Sequence, residues 1–192
     1  MTRLAIVFAE GFADWEVSQL TASARSEFGF EVVSATPGAL SVTSMGGLRI
    51  APDAAVEDLD PARFDGLVIC GGTSWERGIA PELTPVITAF SGADRVVGAI
   101  CAATLALGRA GVLDTVAHTS NSLAFIDGTP GYRGHAHYRD TPQAVRCGRI
   151  VTAPGTAPIT FTTEIYRALG QNSEALEDYM ALFGSEHQPR AA

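Results

Sequence analysis

The stretch Val96-Val97-Gly98-Ala99-Ile100-Cys101-Ala102-Ala103-Thr104-Leu105 decides the reading of this chain. Five apolar residues running straight into small ones describe a strand buried on both faces that turns sharply into a helix. A thiol at such a turn sits where a nucleophile elbow lifts its side chain above a sheet, and small neighbours on both sides are what the tight turn requires. The turn would also put the sulfur at a helix N-terminus, where amide N–H groups favour a thiolate. The competing reading is a buried structural cysteine, the commonest fate of a free thiol.

Outward from this point, apolar runs alternate with helical patterns. Leu4–Phe8, Phe30–Thr36 and Phe64–Cys70 read as strands. Asp14–Phe28 reads as an amphipathic helix with Val17, Leu20, Ala24 and Phe28 inward, and further helices are expected within Glu76–Phe90 and over Ala102–Gly111. Ser41–Ile50, around Gly46-Gly47, reads as a small hairpin. In the second half, Val116–Thr119 and His135–Tyr138 suggest short strands, Val145–Thr152 one strand bent at Gly148, and Pro158–Leu169 and Ser173–Phe183 two helices. Alternating strands and helices imply a doubly wound, mostly parallel α/β sheet of flavodoxin type with helices on both faces. One domain is expected over residues 1–185, with a flexible tail at 186–192 that contains His187.

The composition narrows the partners. Of 192 residues, 46% are hydrophobic and 18% charged, and the formal net charge is -8, with no Lys/Arg cluster to hold phosphates. Nucleic acid is not an expected partner; a small-molecule substrate is. The uncharged stretch between Arg95 and Arg109 is too short to span a membrane, and Met1-Thr2-Arg3 leads into no signal-peptide pattern. Cys70, Cys101 and Cys147 match neither a disulfide framework nor a zinc pattern, so reduced thiols in a cytoplasmic protein are expected.

In open α/β sheets ligands gather at the carboxyl ends of the strands. Three loops there carry unusual residues: Ala9–Glu16 after the first strand, Gly71–Glu76 after the third long one, and Cys101. Glu16 lies beside the inward stripe of its helix and could share a proton with Cys101; a first-turn Glu that merely complements the helix dipole fits the same pattern. The amide of Gly72, with that of Ala102, could form an oxyanion hole beside Gly71, although a Gly pair also suits a plain turn. His118 could serve as a base or be a satisfied structural histidine. His135 and His137 would share a strand face, but no third metal ligand is evident, so no metal is assigned. Trp15 and Trp75 could wall a pocket or pack in a core or dimer contact.

At these residues the chain resembles the PfpI / DJ-one family, the intracellular-protease-like and parkinsonism-associated deglycase-like branch of the class I glutamine amidotransferase-like superfamily. Val97–Thr104 resembles its nucleophile elbow, Gly11–Glu16 its acidic loop, Leu67–Gly72 its oxyanion-side strand, and Val151–Thr156 the loop entering its last large helix. The resemblance implies a flavodoxin-like fold, a homodimer, Cys101 as nucleophile and Glu16 as its carboxylate partner. It also makes Glu76 a candidate, because some relatives use a Glu just after the Gly-Gly pair. A cysteine-dependent hydrolase, deglycase or glyoxalase-like enzyme needing no cofactor is implied, acting on a dicarbonyl, an amide or ester, or a glycated adduct. A redox sensor using the same thiol is the alternative. Departures narrow this: Ala102 stands where protease-like members often have His, and the late His-x-Glu pair of amidotransferases is missing. Glu16 and Ala102 stand where isonitrile-hydrating relatives have Asp and Thr.

Overall fold

A computed structural model describes residues 1–185; the tail at 186–192 and His187 lie outside the described residues. In chain order the elements are β1 (Arg3–Val7), α1 (Asp14–Ser26), β2 (Glu31–Thr36), β3 (Val42–Thr43), β4 (Arg49–Ile50), β5 (Ala54–Ala55), β6 (Gly66–Ile69), α2 (Thr73–Glu76), α3 (Thr84–Gly92), β7 (Val96–Ile100), α4 (Thr104–Arg109), α5 (Leu123–Asp127), β8 (Val145–Cys147), β9 (Ile150–Ala153), α6 (Pro158–Ala168) and α7 (Glu174–Gly184).

Seven strands form one sheet in the order β5-β2-β1-β6-β7-β9-β8, parallel except for the β8–β9 pair. Its inner strands follow the flavodoxin order, which reverses between β1 and β6. Cys101 follows β7, next to β6, so the three loops singled out in the sequence converge at that end of the sheet.

Alternation along the strands feeds two separate cores. Ala5, Val7, Leu67, Ile69, Val97 and Ala99 pack with Ile87, Phe90 and Leu107 on one face. Leu4, Ile6, Val68, Val96 and Ile100 pack with Leu20, Phe161 and Ile165 on the other. Gly98 belongs to this second face and gives α6 a close seat: a Cβ there would lie 2.4 Å from Ile165 Cδ1 and 3.2 Å from the Phe161 ring.

The hairpin is β3–β4, antiparallel and separate from the main sheet. It is stitched to the loop after β1: Gly11 N–H donates to Thr43 O and Met45 N–H to Phe12 O, each at 2.8 Å. The Asp14 carboxylate accepts from Ser44 Oγ and from Gly46 N–H.

Four expectations need correction. The helix expected within Glu76–Phe90 begins only at Thr84, because Pro85 suits a first turn and the chain before it contains Pro81 and the left-handed Gly78. Val145–Thr152 is two antiparallel strands rather than one bent strand, since Gly148 at φ 58° reverses the chain. Val116–Thr119 and His135–Tyr138 are not strands: they meet only in the single bridge His118–Tyr138. Residues His135–His137 form a 3-10 turn, so the two histidines share no strand face. His135 instead pairs with Asp127 at the surface.

Gly98→Val should overpack the seat of α6 and lower unfolding stability by about 1–3 kcal/mol, measured by urea denaturation.

Candidate active site

Cys101 has φ 58°, a left-handed conformation that costs a non-glycine residue about 1–2 kcal/mol. A strand ending in a strained residue and entering a 3-10 turn (Cys101–Ala103) that continues into α4 is the elbow expected from the sequence. The strain tips the half-buried thiol out of the sheet plane and into a shallow cavity of about 500 Å³. Trp15, Asn121, Gly155, Thr156, Pro158 and Ile159 line the rest of it.

Beneath the sulfur lies Glu16, fully buried in the first turn of α1. Its Oε2 accepts the N–H of Gly71 at 2.7 Å and a weak contact from the Cys70 thiol at 3.9 Å. Its Oε1 has no hydrogen-bond partner among the described residues, and the Cys101 thiol lies near enough for the two groups to titrate together. Two glycines make this approach sterically feasible. A Cβ at Gly71 would sit 2.5 Å from Glu16 Oε2 and 2.8 Å from Cys101 Cβ. One at Gly155 would sit 2.8 Å from the sulfur and 3.3 Å from Oε1.

Burial pushes the Glu16 carboxyl up to about 7, against the opposing pull of the neighbouring Cys101 thiol, the Gly71 N–H and the Cys70 thiol. Burial and the Glu16 charge push the Cys101 thiol up to about 12, while Asn121 and the Ala102 amide pull the other way. The turn's amides therefore do not by themselves produce a thiolate, contrary to expectation, because desolvation outweighs them. Between those two values the pair carries a single proton that either member can hold.

Asn121, which sequence reasoning did not single out, donates from Nδ2 to the Cys101 sulfur at 3.3 Å and accepts Gly155 N–H on Oδ1 at 3.0 Å. The Trp15 indole N–H donates to Gly155 O at 3.0 Å, so Trp15 is half-exposed and forms a cavity wall. Trp75 is a core residue whose indole N–H donates to Cys70 O at 3.1 Å. Among the described residues the Gly72 N–H makes no backbone hydrogen bond, while Gly71 N–H is engaged by Glu16. Glu76 ends α2, exposed, near enough to Glu16 for its charge to be felt there.

His118 is not a base for Cys101. It is fully buried, with Nδ1 bonded to Val116 O at 2.8 Å and Nε2 to Tyr132 Oη at 2.7 Å. A neutral ring donating at Nδ1 and accepting at Nε2 satisfies both, and burial holds its pKa below the usual imidazole value. It is the structural histidine of the two readings. Cys70 is a core thiol, pushed well up by burial.

Two measurements bear on the pair. Because the folded-state pKa of Glu16 lies above its unfolded value, the native state binds the extra proton and stability falls as pH rises from about 4.5 to about 7, by on the order of 3 kcal/mol. Glu16→Gln cannot titrate, so the melting temperature of the native protein should fall relative to that of the variant over this window. Separately, ultraviolet titration of Cys101 should give thiolate at lower pH in Glu16→Gln, since the neighbouring negative charge is gone.

This arrangement has relatives. The DJ-1/PfpI family profile matches residues 2–168. Two Bacillus subtilis proteins described as uncharacterized proteases are similar. YdeA is 32% identical, covering 97% of this chain and 94% of its own length, and YoaZ is 31% identical, covering 82% and 78%. Among solved structures, a DJ-1 superfamily protein from Agrobacterium tumefaciens is 50% identical with a TM-score of 0.96, over 98% of this chain and all of the other. A thiJ/pfpI family protein from Bacillus anthracis is 30% identical with a TM-score of 0.85, over 98% and 92%. With the family profile spanning nearly the whole chain and the same fold in relatives of this identity, the protein belongs to the DJ-1/PfpI family.

Proposed function

We propose that this chain is an enzyme in which Cys101 attacks a small carbonyl, acyl or amide substrate, with Glu16 as its proton partner. The observation that carries the reading is the strained elbow holding the sulfur above a fully buried carboxyl whose Oε1 has no N–H or O–H donor. A protein that keeps a carboxyl buried with one oxygen so poorly satisfied loses stability, and such groups concentrate where chemistry needs them.

In the reaction, the Cys101 sulfur forms a bond to the carbonyl carbon and the C=O π pair moves onto oxygen. The thiol proton passes to Glu16, which returns it to the oxyanion or to a leaving group. Ala102 N–H, already directed at the sulfur, and the unbonded Gly72 N–H are the candidate donors to the oxyanion. Glu16 acts near neutral pH because a carboxyl titrating at about 7 is close to the ideal for proton exchange there. No cofactor enters this scheme. A homodimer in the cytoplasm belongs to the same reading, on the strength of the family.

The Bacillus relatives named as proteases bring peptide hydrolysis into view. For this chain a smaller electrophile is favoured: Ala102 follows the cysteine, His118 has both nitrogens engaged, and the cavity is shallow. A second reading has its own support. Asn121 Nδ2, Ala102 N–H and a protonated Glu16 are donors around one sulfur, a suitable cradle for the oxygens of a sulfinate in a redox-responsive protein.

Against a panel of aldehydes, dicarbonyls and activated esters, Cys101→Ala and Cys101→Ser should lower turnover of any true substrate by about a thousandfold or more, with melting temperature little changed. Equal rates in the variants reject the mechanism. A stable, selective sulfinate at Cys101 after mild peroxide, read by mass spectrometry and without turnover of any substrate, favours the redox reading.

A further inference from the structure

The side chain of Asn121 is gripped at both ends. A backbone N–H can only donate, so the bond from Gly155 N–H at 3.0 Å obliges Oδ1 to face Gly155. The amide NH2 is then the end that faces Cys101, donating to the sulfur at 3.3 Å. Its orientation is set by chemistry rather than by choice of fit.

The backbone around Asn121 is equally restrained. Thr119 N–H donates to Thr152 Oγ1 on β9 at 2.8 Å. Thr104 Oγ1 donates to Cys101 O at 2.7 Å, which leaves Ser120 Oγ to donate to Thr104 Oγ1, also at 2.7 Å. Hydrogen bonds therefore link the carbonyl of Cys101 through Thr104 to Ser120, whose chain neighbour Asn121 returns a bond to the sulfur of Cys101. The Gly155 turn is held from its other side by the Trp15 indole. A side chain at a cavity rim normally loses rotamer entropy only for a gain, and here two loops hold one amide against one sulfur.

From this geometry we propose that Asn121 is a catalytic residue, the neutral side-chain donor that holds the Cys101 sulfur as a nucleophile. The assignment rests on the reading of Cys101 as the reacting atom. It also adds a substrate preference. With Oδ1 turned toward Gly155, the NH2 is the end of Asn121 that lies beside Cys101, so it favours a carbonyl, ester or carboxylate oxygen next to the reacting carbon over an amine or ammonium group. Glu16 is the titratable group facing the sulfur from α1 and Cys70 the one from the end of β6, and neither is altered by changing Asn121.

The test is alkylation of Cys101 by iodoacetamide in a Cys147→Ser background, followed by intact mass as a function of pH. Asn121→Asp keeps the shape of the side chain and an oxygen for Gly155 but replaces the donor by an acceptor. Asn121→Ala removes the donor without adding charge. Both should slow alkylation near neutral pH, Asn121→Asp by about tenfold or more, and both should move the alkylation midpoint upward. Should Asn121→Ala loosen the turn and melt early, the isosteric Asp variant carries the comparison. Wild-type rates and an unshifted profile in a folded Asn121→Asp variant overturn the proposal. Alkylation requires no substrate, so a failure to turn over any carbonyl compound would count against the proposed function alone.

Discussion

The site depends on a carboxyl buried where charge is expensive. Glu16 is fully enclosed and has one firm N–H donor, from Gly71, for its two oxygens. Isolated ionised carboxylates in such surroundings shift their pKa rather than remain charged, and burial pushes Glu16 up to about 7. The same enclosure lifts the Cys101 thiol. Neither group holds charge comfortably, and ionisation of one opposes ionisation of the other. Glu16 and Cys101 are thus better regarded as one titrating unit than as an acid beside a nucleophile.

Everything around the pair lets these two groups approach. The reversal of strand order between β1 and β6 sets the start of α1 against the end of β6, and β7 places the elbow alongside. Ala13 N–H donates to Gly71 O at 3.1 Å, tying the α1 entry to the Gly-Gly loop before Glu16 reaches under it. Gly71 and Gly155 then leave open, beside both members of the pair, the space that any Cβ would fill. The fold supplies adjacency through its sheet, and the two glycines convert adjacency into contact.

Much of this was legible in the sequence because it is local. Val96–Ile100 followed by Cys101 and small residues can hardly be other than a buried strand and a tight turn, and the strand and elbow are where they were expected. The inward lean of Glu16 followed from its place beside Val17 and Leu20. What the sequence concealed depends on partners distant along the chain. His118 carries the same imidazole whether it faces a thiol or the Tyr132 hydroxyl fourteen residues on. Only packing decides between them. Asn121 was visible within the polar run His118-Thr119-Ser120-Asn121-Ser122, but its bonds to Cys101 and to Gly155, thirty-four residues away, were not. The short elements β5, α2 and α5 carry too few residues for any periodicity to register. His135–Tyr138 misled because a short alternating run after a glycine suits a 3-10 turn as well as a strand.

The alanine after Cys101 gives the site its chemical character. A histidine there would supply a base that gains positive charge as it takes the thiol proton, and the resulting ion pair would hold a thiolate at rest. Ala102 offers only its amide, and the nearest proton acceptor is a carboxyl already sharing a negative charge with the sulfur. Removing the proton entirely from such a pair is unfavourable, as the thiol at about 12 records. On the proposed reading, attack coincides with proton movement inside the pair, so that charge leaves the sulfur as it arrives on the substrate oxygen. Neutral donors at the rim suit that demand better than a fixed cation would, since they can stabilise charge at the sulfur and then at the oxygen without anchoring it at either.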